Sequence, residues 1–234
     1  MFDVNHGALQ ILYQDESCVV VHKPSGMIVH RGWANDDQDL MRWTRDTVGR
    51  YVYPLHRLDR GASGAVLFAL CEHAARTLNH AFAAGEVDKR YLALTRGHPP
   101  EQGRIDHPIP RAPGEERVPA QTEYQRLGTF ERYALVLALP KTGRLHQIRR
   151  PLKHLSCPLI GDVRYGKGDH NRLFRERYAF DRLALHAAAL RFVHPVTGQS
   201  ITVRAPLEGC FELCLEALGL ALAARAAIAA NFPD

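Results

Sequence analysis

The chain has no Cys-x-x-Cys pair, no His-x-His or His-x-x-x-His spacing, no P-loop and no dinucleotide fingerprint. Structural zinc, nucleotide hydrolysis and nicotinamide redox chemistry therefore lack their usual sequence support. The five cysteines, Cys18, Cys71, Cys157, Cys210 and Cys214, are odd in number and sit among apolar residues. That pattern predicts reduced, buried thiols in a cytoplasmic protein. Met1 to Gln10 lacks the basic and apolar regions of a signal peptide. Ala217 to Ala224 is apolar, but Glu212, Glu216 and Arg225 flank it too closely for a membrane span, so it reads as a packed terminal helix. No internal repeat or low-complexity tract is visible.

What is present is an ordinary globular composition, 46% hydrophobic and 24% charged over 234 residues, enough for one sizeable domain. The net charge is +5, yet Lys141 to Arg182 alone holds eleven Lys/Arg against four Asp/Glu, a local +7 that leaves the rest at −2. A basic segment on a mildly acidic body is the footprint of a nucleic-acid binder. A merely solvated basic face would look the same, so a site beside it must decide.

One run suggests such a site: His56-Arg57-Leu58-Asp59-Arg60, followed by Gly61-Ala62-Ser63-Gly64. A carboxylate between guanidinium groups, in a turn of small residues, is approachable and can act as nucleophile, base or metal ligand. Its cationic neighbours suit a phosphate-bearing substrate. In isolation, a surface salt-bridge turn is the commoner fate of such a run. The second basic cluster, about eighty residues downstream, is what favours a site.

Hydrophobic patterning predicts strands at Ile11 to Gln14 and Cys18 to His22, joined by Asp15-Glu16-Ser17. Gly64 to Leu70 reads as a buried strand leaving the Asp59 turn, and Glu72 to Ala84 as a helix stopped by Gly85. Lys89 to Thr95 alternates as a strand does. Pro99 to Pro119 holds six of the fourteen prolines and reads as an irregular excursion with a short strand near Ile105. Thr122 to Leu127 pairs with Arg132 to Leu139, and Leu183 to Val193 with Ser200 to Arg204. Strands joined by short turns predict an α+β fold with a mixed, largely antiparallel sheet and a central cleft.

Between Pro140 and Leu155, the residues Leu145, Ile148, Leu152 and Leu155 share one helical face. At about 100° per residue, Arg149 falls at the edge of that face and Arg150 roughly opposite. Arg149 can then lean into a cleft while Arg150 and Lys153 remain free for phosphates. Pro151 is tolerated only in a first turn, so the helix should begin near Gln147.

His56-Arg-Leu-Asp-Arg60 with Ser63-Gly64 resembles the catalytic motif of the RluA branch of pseudouridine synthases. Lys23-Pro-Ser-Gly26 with Ile28-Val-His30, Lys89-Arg-Tyr91, and Thr142-Gly-Arg-Leu-His-Gln-Ile-Arg149 with Pro158-Leu-Ile-Gly-Asp162 resemble its other motifs, in order, over Leu12 to Pro206. The Arg149-Arg150 doublet and the stretch from Gly161-Asp162 to Asn171-Arg172 look most like the TruC-type enzymes, which modify uridine 65 of tRNA. Ala62 stands where the family usually has threonine, and Pro151 where it has histidine.

The resemblance implies conversion of uridine to pseudouridine in tRNA, without a cofactor or metal. Asp59 would be nucleophile or base, Arg149 its cationic partner, and Tyr91 the ring stacked on the uracil. Arg57 would fill the stack vacated by an extruded base. Arg60, Arg144, His146, Gln147, Ile148, Arg150 and Lys153 are expected to contact substrate. Residues 1–10 are expected to be a short tail and 11–234 one catalytic domain with no accessory RNA-binding module, acting as a monomer. Three other readings compete: action on rRNA or the anticodon arm, RNA binding without catalysis, and a metal-dependent nuclease using Asp59 with histidines. The echo of a kinase His-Arg-Asp loop fails, because Leu58 interrupts it and its partner motifs are missing.

Overall fold

Asp15 closes the first hairpin by local hydrogen bonding: its Oδ1 accepts the backbone N–H groups of Ser17 and Cys18 at 2.7 and 2.9 Å. The turn joins β1 (Ile11–Gln14) to β2 (Cys18–Lys23). The computed structural model describes residues 8–31, 38–110 and 114–232, so most of the expected N-terminal tail lies outside the described residues. Next come α1 (Leu40–Val48), β3 (Tyr53–Pro54), β4 (Ser63–Ala69), α2 (Glu72–Ala84) and β5 (Asp88–Arg96). The proline-rich excursion contributes β6 (Gln102–Asp106), β7 (Ile109–Pro110) and β8 (Arg117–Val118). A long hairpin follows, β9 (Gln121–Phe130) and β10 (Tyr133–Pro140), then α3 (Arg149–His154) and α4 (Gly168–Tyr178). The chain closes with β11 (Leu185–Val193), β12 (Ser200–Arg204), α5 (Gly209–Ala217) and α6 (Ala221–Ala229).

Among the described residues, ten strands form one sheet in the order β1-β2-β4-β11-β5-β10-β9-β6, with β12 also on β11 and β3 on β4. Every pairing in it is antiparallel except β4 with β11, which is parallel and confined to His186↔Ser63 and Ala187↔Gly64. Beyond that point β11 pairs with β12 instead, so the sheet forks where the chain has just left the Asp59 turn. Gly64 makes the junction possible. With φ +113°, a Cβ there would stand 2.2 Å from the Ala187 carbonyl oxygen, and only glycine fits. Ala187 in turn faces Tyr91 across β5. The Asp59 turn and Tyr91 are thus brought together by one cross-strand row.

The two faces of the sheet carry different cores. Tyr91 and Ala93 pack with Val66, Phe68, Ile148 and Leu152, whereas Leu92 and Leu94 pack with Phe174, Phe180 and Phe211. A third cluster sets Ala74 and Leu78 of α2 against Val20, Leu67 and Phe192. Being covered on both sides, β5 is buried from Lys89 to Thr95 rather than alternating with solvent, as its sequence pattern suggested.

Two other expectations are corrected. Ala217 to Ala224 is not one terminal helix: Gly219, at φ +68°, separates α5 from α6. Cys18, Cys157 and Cys214 are buried as expected, but Cys71 and Cys210 are exposed, Cys71 at the N-cap of α2 and Cys210 in the first turn of α5.

Candidate active site

The turn that carries Asp59 is tied down from beneath. Lys23, wholly buried, donates from Nζ to the carbonyl oxygens of Pro24 (2.8 Å), Met27 (2.6 Å) and Arg60 (3.1 Å), and Ser25 Oγ donates to Gly61 O at 2.8 Å. Burial, then the nearby Arg182 charge, pushes the Lys23 ammonium down to about 7, with Asp59 pulling the other way. Ala62, at the position where threonine is usual in the resembling family, is buried, and its N–H closes the turn onto Asp59 O at 3.0 Å. Its missing hydroxyl therefore leaves no gap in the turn's backbone bonding.

Arg149 reaches Asp59 from the opposite side of the cleft. Its Nη1 donates to Asp59 Oδ2 at 2.9 Å, while Nε and Nη2 donate to Asp162 Oδ2 and Oδ1 at 2.7 and 2.8 Å. Asp162 is fully buried, and its Oδ1 also accepts the backbone N–H groups of Arg164 and Tyr165. Burial opposes the charge on both partners. Their mutual hydrogen bonds outweigh it, keeping Arg149 above and Asp162 below their ordinary pKa ranges. Gly161 permits this turn: at φ +73°, a Cβ would collide with the Arg182 carbonyl. Pro151 sits in the first turn of α3, where its missing N–H needs no helical partner.

Two cavities meet at this pair. One, of about 710 Å³, is lined by Arg57, Asp59, Tyr91, Arg144, His146, Gln147, Ile148 and Arg149, with Phe82 and Lys89. The other, of about 1250 Å³, lies between the Asp59 turn, Met27 to Arg31 and Asp162 to Val163. Asp59, His146, Arg149 and Arg57 border both, and Arg60 borders the second. Burial, reinforced by the Asp59 charge, raises the Tyr91 phenol well above the ordinary tyrosine value, so it stays protonated in the cavity wall.

Some of the expected contact residues are engaged by other partners within the protein. Gln147 is consumed by structure: its Oε1 accepts from Thr142 Oγ1 and Arg144 N, and its Nε2 donates to Gln121 O. Arg150 is not free, because its Nε donates to Tyr165 Oη at 2.9 Å, and neither it nor Lys153 lines either of these two cavities. The basic segment is not one surface either. Arg149 and Arg182 are buried, and α4, with Arg172, Arg175 and Arg177, seats Phe174 on the sheet face away from Tyr91.

Lys89, Asp162 and Tyr165 were not singled out from the sequence, although all three lie within or beside the recognised motifs. Lys89 is buried in the first cavity's wall, and burial, with help from Lys141, pushes it down to about 8 against the pull of Asp88.

The sequence pattern described as RNA pseudouridylate synthase matches residues 17–154. "tRNA pseudouridine synthase C" of Vibrio vulnificus (strain CMCP6) is 40% identical over 231 residues, covering 89% of this chain and 94% of the relative. The protein of the same name from Pasteurella multocida (strain Pm70) is 41% identical over 223 residues, covering 86% and 92%. Among solved structures, human RNA pseudouridylate synthase domain containing 4 superposes with TM-score 0.74 at 27% identity, over 90% of this chain and 93% of that one. Human RNA pseudouridylate synthase domain containing 1 gives 0.73 at 27%, over 97% of each.

Proposed function

This chain belongs to the RNA pseudouridylate synthase family and isomerises uridine to pseudouridine; we propose that its substrate is tRNA, its target uridine 65, and its reacting group Asp59. The observation that carries the assignment of Asp59 is its ion pair with Arg149, itself anchored on buried Asp162, at the junction of two cavities. The substrate reading is supported by the relatives' names and by the resemblance at Arg149-Arg150 and Gly161 to Arg172.

The reaction breaks the C1′–N1 bond, turns the base and forms a C1′–C5 bond. N1 ends protonated and C5 has lost its proton. No electrons are exchanged with another molecule, so a carboxylate, a proton donor and a rigid enclosure suffice. Asp59 serves as nucleophile or base, with Oδ2 held by Arg149. The buried Tyr91 ring offers a flat face for the uracil and a protonated hydroxyl near C5. A base in a stem must leave its stack to reach this cavity, and exposed Arg57, bordering both cavities, takes the vacated place. Such a protein works in the cytoplasm, where tRNA is found, and as a monomer.

Chemical mapping of pseudouridine in total RNA from cells with and without this protein tests the reading. Loss at tRNA position 65 is expected. Loss confined to rRNA, or to the anticodon arm, would overturn the target while leaving the chemistry in place.

A further inference from the structure

Tyr165 stands at the centre of a polar chain that the reaction described above leaves unused. Its hydroxyl is 2.9 Å from Arg150 Nε and 2.9 Å from His146 Nδ1. A guanidinium can only donate, so the Tyr165 oxygen accepts from Arg150, which leaves its own proton available to His146. With the proton so directed, Nδ1 is the acceptor and a neutral imidazole carries its hydrogen on Nε2. That atom lies 3.8 Å from Asp59 Oδ1, the carboxylate oxygen that Arg149 does not take.

The backbone around His146 is equally particular. Its φ is +55°, a left-handed conformation that a residue with a Cβ keeps only where its surroundings hold it. The Tyr165 ring provides part of that hold, lying edge-on to the imidazole and beneath the guanidinium groups of Arg149, Arg150 and Arg164 at 5.2, 5.9 and 5.6 Å. Burial, and then these three arginines, keep His146 below the ordinary histidine pKa against the pull of Asp59, so it is a neutral donor at pH 7.

We propose that Tyr165 is a positioning residue: its hydroxyl fixes His146 in the Nε2–H tautomer, and His146 donates that hydrogen to Asp59 Oδ1 as the site closes on RNA. The present 3.8 Å is too long for a hydrogen bond, and contacts of this kind shorten when substrate binds. With Arg149 on one oxygen and His146 on the other, the plane of the carboxylate is set, and with it the direction from which it meets the nucleoside. The role in turnover rests on the reading of Asp59 as the reacting group. The tautomer does not.

Nitrogen-15 NMR of the full chain labelled at histidine tests the tautomer, with His146 assigned by the loss of its signals in His146→Gln. The Nε2–H form is expected in the wild type and a mixture in Tyr165→Phe, which keeps the ring but lacks the hydroxyl. In turnover, Tyr165→Phe should lower kcat about tenfold and leave KM within about twofold. His146→Gln, whose amide can donate from near the Nε2 position, should outperform His146→Ala. Adding Tyr165→Phe to His146→Ala should cost nothing further. An Nδ1–H tautomer in the wild type, or losses that add in the double variant, would overturn the proposal. Full activity of Asp59→Asn with the tautomer unchanged would strike at the reading of Asp59 alone.

Discussion

Asp162 grips Arg149 through two parallel hydrogen bonds, Nε to Oδ2 and Nη2 to Oδ1, and so turns Nη1 toward Asp59. The planar fork of arginine is what allows one side chain to serve both carboxylates, and lysine could not reproduce it. Asp162 itself is closed to solvent, so its charge depends on this partner and on the two backbone N–H groups that it also accepts.

Replacing Asp162 by Asn should therefore damage both the site and the fold. It leaves a buried guanidinium half-paired, with a cost of about 3–5 kcal/mol in stability, and lets Nη1 wander from Asp59. Urea denaturation and kcat on the same preparation check this. Wild-type turnover in a folded Asp162→Asn variant would show that Arg149 does not depend on its anchor.

Asp59→Asn should abolish tritium release from C5-labelled tRNA while tRNA binding stays within a few-fold. Most of the affinity of such a protein comes from phosphate contacts, which the substitution does not touch. Residual turnover near the wild-type level would remove Asp59 from the chemistry.

Arg57→Ala should lower kcat/KM on duplexed substrate, because nothing then replaces the extruded base. A mismatch opposite the target uridine makes extrusion easier and should restore much of the loss. Equal defects on matched and mismatched substrates would assign Arg57 another task.

Acid should weaken the fold through His186. Its Nε2–H donates to Ala205 O and its Nδ1 accepts from Ser63, whose oxygen accepts in turn from Arg182 Nη2. Burial pushes this imidazole down to about 3, far below its value in the unfolded chain. Between the unfolded pKa near 6.5 and the folded one, the unfolded state binds the extra proton, so stability falls as pH falls. Going from pH 7 to pH 5 should cost about 2 kcal/mol from this group alone. Urea midpoints at the two pH values, compared with those of His186→Gln, measure it. An unchanged pH dependence in the variant would refute the assignment.

Local rules were legible in the sequence where a single residue decides the outcome. Gly85 stops α2, and Pro151 confines α3 to a start close beside it. The placement of Arg149 toward the cleft followed from helical phase, because Ile148 and Leu152 had to face the core. What could not be read were contacts between distant segments. Nothing local marks Arg150 as the partner of Tyr165, or Gln147 as the brace of the 121–144 corner, since the first bond depends on how the turn after Asp162 folds back on α3 and the second on how β9 meets the loop before α3. The charge excess from Lys141 to Arg182 likewise gave no sign that the chain crosses to the other sheet face at α4. The break at Gly219 was hidden by uniformly apolar neighbours, which suit one helix or two.

The position of β11 in the sheet bears on how the enzyme comes into being. It is among the last strands in the chain, yet it stands between β4 and β5 and joins them. A ribosome releasing this polypeptide exposes Asp59, Tyr91 and Arg149 well before residues 185–193 emerge, and until then the early hairpin and the later meander have no shared strand to align on. Activity should thus arise in a single late step of synthesis, governed by long-range pairing rather than by local helix formation. A nascent chain cannot modify RNA piecemeal.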